Sequence, residues 1–183
     1  IIWVNLVTDT ASAIPLGLEP KFGDELRHPP RHPRVGLIFP GLLFRVGFLA
    51  ALMSVGIFLV FNWAQARVSL DEARTIAFCS MVAFEWFKAF YARSDEHTIF
   101  RLGVFRNRWL VVSMLVAVAL QVAVIYVPFL QRAFGTVPLS VDKWGIAMLA
   151  GGSLFIIEET RKALFPRLFS LGKWKPLHQA AAG

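Results

Sequence analysis

Residues 109–130 read WLVVSMLVAVALQVAVIYVPFL, without a single charged side chain. About 20 apolar residues in helix are enough to cross a bilayer. Four more runs share this apolar outline, at 1–18, 42–64, 73–91 and 144–165. The pattern predicts an all-α, multi-pass transmembrane helical bundle of about five spans over residues 1–165, followed by a tail over 166–183. Composition agrees: 56% of residues are hydrophobic and 17% charged, whereas a soluble domain has about 45–50% and about 25%.

The polar segments between the runs set the topology. When five spans alternate, fifteen of the 19 Lys and Arg residues fall on one side. Only Arg67, Arg74, Arg132 and Lys143 fall on the other. Basic residues collect in cytoplasmic loops, so the rich side is cytoplasm and the C-terminus is cytoplasmic. The first span then enters from outside, which implies membrane sequence upstream of Ile1. The same distribution speaks against nucleic acid, because the net charge of +7 is not gathered in one basic domain. The expected surroundings are a lipid bilayer, and in a prokaryote the cell membrane.

Several residues carry local expectations. Pro15 and Gly17 weaken the helix of the first span, so Thr8 to Gly17 is a candidate for an interrupted stretch with free carbonyls. Prolines 20, 29, 30, 33 and 40 forbid a continuous helix through the following loop. Arg45 is placed to snorkel to the interface, and Asn62 and Trp63 to mark the opposite one. Asp71 is expected in the loop before the third span. Gly145, Ala147, Gly151 and Gly152 suit close helix contact. Glu158 and Glu159 are spaced to pair with Arg161 and Lys162. Cys79, the one cysteine, reads as a small core residue, and Gln121 as a packing hydrogen bond.

The chemistry concentrates in Asn5-Leu6-Val7-Thr8-Asp9. Positions i, i+3 and i+4 share one helix face, so Asn5, Thr8 and Asp9 present an amide oxygen, a hydroxyl and a carboxylate together. An Asp at the bilayer centre costs roughly 2.5–3.5 kcal/mol. It persists where it faces protein, water or an ion. Calcium takes about 6–8 oxygen ligands. This face offers three or four of that number, and Glu85 on the third span adds one or two. The bland alternative for the trio is hydrogen bonding that holds the bundle together. For Glu85 it is an ion pair with Lys88 at i+3. His28 and His32 flank prolines on no rigid face, which does not suit zinc. No glycine loop for nucleotide phosphates is present.

These residues carry a resemblance. Trp3-Val4-Asn5-Leu6-Val7-Thr8-Asp9 resembles the sixth membrane helix of P-type ATPases of the calcium-pump branch. Gly17-Leu18-Glu19-Pro20 continues it. Arg27-His28-Pro29-Pro30-Arg31 is similar to the family's cytoplasmic Arg-Pro-Pro-Arg loop. Val124 to Leu130, Phe134 to Leu139 and Trp144 resemble the ninth helix and the loop after it. Glu158-Glu159 with Lys162 resembles the tenth. The likeness covers residues 1–165.

The resemblance implies helices six to ten of a ten-helix domain. It places Asn5, Thr8 and Asp9 on ion-ligand positions, and Glu85 on the acidic ligand of the eighth helix in two-site calcium pumps. Arg27, Pro29, Pro30 and Arg31 fall on the loop that couples the membrane to the cytoplasmic domains. Sodium–potassium and proton–potassium pumps carry an acid where Asn5 stands, which favours calcium as the transported ion. ATP and magnesium would act only through domains absent from this chain. The N-terminal membrane helices and those cytoplasmic domains are the implied partners. Alone, the segment is expected neither to hydrolyse ATP nor to transport. Two other readings use the same residues: a non-transporting membrane scaffold or anchor, and a pump for manganese or sodium. An upstream Asp-Lys-Thr-Gly phosphorylation motif separates pump from scaffold.

Overall fold

The computed structural model describes residues 10–19, 40–94 and 97–165. Among them the chain is all-helical, with no strand. The helices are α1 (Thr10–Gly17), α2 (Pro40–Gln65), α3 (Leu70–Tyr91), α4 (Ile99–Leu102), α5 (Arg108–Tyr126), α6 (Pro128–Phe134) and α7 (Val141–Leu164).

Two helices are long and apolar enough to cross a membrane, over Leu42–Gln65 and Arg108–Tyr126. Only 6% and 28% of their apolar stretches are buried. The core helix of a water-soluble protein would be mostly covered. Here Phe44, Phe58, Trp109 and Leu115 stand exposed. So much uncovered apolar surface calls for lipid or further helices around it.

α3 is the central element. Ser69 caps it, accepting a hydrogen bond from the Glu72 N–H at 3.3 Å, and Asp71 and Glu72 in the first turn complement the helix dipole. Asp71 is therefore helical, not in the loop the sequence suggested. α3 packs on α7 where Gly151 meets Ala83, and on α2 where Gly56 meets the Phe84 ring. Val82, Trp86 and Ala89 bury against Leu110, Met114 and Ala117 of α5. Of the small residues expected to make contact, Ala147 is buried and Gly151 is tightly packed, whereas Gly145 faces open space.

Side-chain pairs fix the helix directions. Lys143 near the start of α7 pairs with Glu72 near the start of α3. Lys162 near the end of α7 donates to the carbonyl of Tyr91, the last residue of α3, at 2.5 Å. The two helices therefore run parallel. Arg45 near the start of α2 lies 3.7 Å from Glu158 near the end of α7, so α2 runs the opposite way. At the start of α7 the nearby Ser140 side chain holds the Asp142 carboxyl below the ordinary carboxylate range.

The continuous span expected over 109–130 is broken at Val127, whose backbone is extended (φ −85, ψ 120). Pro128 disfavours helical geometry in the residue before it. It also offers no N–H to the carbonyl of Val124, four residues back. The Thr136 hydroxyl donates to that carbonyl at 2.7 Å, and the Gln131 amide to the next one, Ile125, at 2.6 Å. Gly135 takes the left-handed φ of 65° that ends α6. Tyr126 then donates to the Leu139 carbonyl at 2.6 Å and accepts from the Trp144 indole at 3.0 Å.

Candidate functional site

Asn5, Thr8 and Asp9 lie outside the described residues, as do Arg27, His28, Pro29, Pro30, Arg31 and His32. The helix that follows Asp9 is described. α1 starts at Thr10 and runs unbroken to Gly17 with Pro15 inside it. The interruption expected up to Gly17 is thus absent over Thr10–Gly17. Pro15 itself offers no N–H to the carbonyl four residues back. Its own carbonyl, in the last turn of α1, accepts from the Asn107 amide at 2.8 Å.

Glu85 lies on α3 with its side chain 12% exposed and pairs with Lys88, one turn on. It sits on the face opposite Ala83 and Phe87, the residues that meet Gly151, Gly152 and Phe155 of α7. Among the described residues, no group of three or more His, Cys, Asp or Glu side chains could hold a metal ion.

A polar cluster gathers where α1 ends. The Glu19 carboxylate accepts from Arg93 Nε at 3.0 and 3.1 Å, from its terminal nitrogen at 2.6 Å, and from Asn107 Nδ2 at 2.7 Å. The other terminal nitrogen of Arg93 donates to the carbonyls of Gly103 and Val104 at 2.9 and 3.3 Å. Asn107 Oδ1 accepts from the Leu110 N–H at 3.0 Å and so caps α5. The Arg93 side chain is fully buried. Charge-assisted, near-parallel donation of this kind is among the stronger polar contacts proteins make.

A second cluster joins α7 to α2, α3 and α4. Arg161 donates to Glu158 at 2.9 Å and Lys162 to Glu159 at 2.9 Å, the i+3 pairs expected from spacing. The bundle covers them: Glu158 and Lys162 are each 2% exposed. Arg45 also turns inward to Glu158 instead of snorkelling, because that carboxylate offers a partner inside the bundle. Glu159 accepts from the Ile99 N–H at 2.8 Å, starting α4.

Two smaller expectations hold. Cys79 is buried and free, and the Gln121 amide donates to its sulfur at 3.7 Å, a packing contact. Between α1 and α5 lies a cleft of about 440 Å³, lined among others by Ile14, Leu18, Trp109 and Val116. Its walls are almost wholly apolar, with the Thr10 and Ser113 hydroxyls as exceptions. That chemistry does not suit a hard cation. The Glu19–Arg93–Asn107 cluster escapes sequence reasoning, because its members lie 74 and 88 residues apart. In the sequence only the Gly-Leu-Glu-Pro motif points to Glu19.

The family model described as "Cation transporting ATPase, C-terminus" matches residues 1–164. The calcium-transporting ATPase type 2C member 2 of Rattus norvegicus is 36% identical over 165 residues, which cover 88% of this chain and 17% of that protein. The calcium-transporting ATPase 1 of Bacillus cereus is 32% identical over 178 residues, covering 88% and 20%. A probable cation-transporting ATPase F of Mycobacterium tuberculosis is 30% identical over 169 residues, covering 92% and 19%. The chain therefore spans about a fifth of the length of these relatives.

Proposed function

The chain belongs to the family of C-terminal membrane domains of cation-transporting P-type ATPases, and we propose that it supplies ion ligands to an ATP-driven calcium pump. The observation that carries this is Asn5, Thr8 and Asp9 at i, i+3 and i+4, directly ahead of a helix packed on the bundle. A hard cation loses its water only where oxygens replace it. A carboxylate, an amide oxygen and a hydroxyl on one face begin that replacement. Glu85 is the further acid in this proposal, on a face of α3 that α7 does not cover. The remaining ligands come from other helices of the pump. ATP and magnesium act in its cytoplasmic domains.

The five-span arrangement belongs to the same proposal. It is supported by the parallel course of α3 and α7 and the opposed course of α2. It is also supported by the uncovered apolar surfaces of α2 and α5. The C-terminal end of α7 then lies on the cytoplasmic side, with the end of α1.

The test uses the full-length pump in membranes. Asp9→Asn should abolish calcium-dependent phosphoenzyme formation from ATP. Retained calcium dependence would remove Asp9 from the site. Competition by manganese or sodium in the same assay identifies the ion, because oxygen ligands alone do not separate hard cations.

A further inference from the structure

Glu19 is the last described residue after α1, and its carboxylate is held from two directions. Arg93 comes from the segment after α3 and Asn107 from the start of α5. Asn107 also holds the carbonyl of Pro15, one turn back inside α1. The end of α1 is therefore fixed at two heights on one side.

The residue that does the holding is itself braced. Arg93 spends its second terminal nitrogen on two backbone carbonyls, of Gly103 and Val104. Two residues before it, the carbonyl of Tyr91 is held by buried Lys162. A little beyond, the Ile99 N–H is held by Glu159. The segment between α3 and α5 is thus fastened to α7 at one edge and to α1 at the other.

We propose that Arg93 is a positioning residue for ion binding: through Glu19, and with Asn107 on Pro15, it sets the depth and rotation of α1, the helix directly after Asp9 in the sequence. This rests on Asn5, Thr8 and Asp9 holding the ion. α1 is only about 12 Å long, and Asp9 immediately precedes its first residue. A helix this short transmits a shift at its fixed end as a rigid rod. Cation affinity depends on several oxygens meeting one point, so a displaced carboxylate weakens binding without being lost.

The test measures two quantities in the full-length pump. One is the calcium concentration for half-maximal phosphorylation by ATP. The other is phosphorylation by inorganic phosphate without calcium, which reports that the protein is folded and its phosphorylation site intact. Arg93→Met should raise the first roughly tenfold or more, as expected for losing charged hydrogen bonds, and leave the second in place. Arg93→Lys should recover part of the affinity. Glu19→Gln should weaken calcium in the same direction, and Glu19→Gln with Arg93→Met should be no worse than Arg93→Met alone.

Unchanged calcium dependence in Arg93→Met overturns the proposal. If that variant does not accumulate, Arg93→Lys and Glu19→Gln carry the test, and unchanged calcium dependence in both overturns it equally. A full additive loss in the double variant also overturns it, because the two residues would then act apart. Failure of the ion-site assignment is seen separately, as normal calcium dependence in Asp9→Asn.

Discussion

Gly151 of α7 lies so close to Ala83 of α3 that a Cβ added to it would come 2.7 Å from the Ala83 carbonyl carbon and 2.8 Å from its Cβ. The nearest atom belongs to backbone, which cannot rotate aside. The contact explains how α3 and α7 meet closely enough for Lys162 to reach the Tyr91 carbonyl. Gly151→Val should therefore part the two helices. Overpacking of this kind costs about 1–3 kcal/mol. The expected outcome is a lower unfolding temperature for the detergent-solubilised full-length protein. Gly145→Ala, where nothing lies within 4 Å, should hold or slightly raise that temperature, because Ala favours helix over Gly, and serves as the control.

Lys162 and Glu159 form a buried pair with both partners engaged on backbone groups. Removing one partner strands a charge in a dry interior, at a cost of about 3–5 kcal/mol. Lys162→Met should therefore destabilise strongly, and Glu159→Gln in the same protein should restore part of the loss. The comparison is made by unfolding temperature and by yield of folded protein. A double variant as unstable as Lys162→Met would show that the lost bond to the Tyr91 carbonyl, not the stranded charge, dominates.

Local patterns made some of this legible in the sequence. The i+3 spacing of Glu158 with Arg161 and of Glu159 with Lys162 announces those pairs, and Gly151 announces a close contact. What the sequence hides is which distant partner a polar residue finds. Arg45 reads as a snorkelling residue because its partner Glu158 lies on another helix. Arg93 reads as one more loop cation, although it is fully buried on Glu19. Pro128 signals a break, yet the apolar run around it reads as one span, because hydropathy does not register a missing N–H. The proposed ion site rests on the sequence, since Asn5, Thr8 and Asp9 lie outside the described residues.

Thr136 supplies the donor that Pro128 cannot offer to the Val124 carbonyl. Thr136→Val keeps the shape and removes the hydroxyl. Leaving a buried carbonyl unpaired costs about 1–3 kcal/mol, so the unfolding temperature should fall. Pro128→Ala restores a backbone N–H at the helical position. In that background Thr136→Val should cost clearly less. Equal losses in both backgrounds would mean that the hydroxyl is not replacing the missing donor.

Glu85 pairs with Lys88 on α3, and in the proposed ion site that pair would set how much negative charge Glu85 offers. Their pairing is seen directly, and the Lys88 side chain is 37% exposed. An exposed pair at this spacing contributes about 0.2–0.5 kcal/mol to folding; with Glu85 only 12% exposed, Lys88→Met should lower stability by somewhat more than that. If Glu85 helps to bind calcium, Lys88 competes with the ion for its carboxylate. Lys88→Met should then lower the calcium concentration for half-maximal phosphorylation of the full-length pump, by roughly fivefold at the low end of ordinary coupling energies. The shift should vanish in a Glu85→Gln background, where no carboxylate remains to be released. A shift that survives there would place the influence of Lys88 elsewhere. No shift at all, in a protein still phosphorylated normally, would leave Glu85 a helix-surface partner of Lys88 and Asp9 the one acid of this chain at the ion.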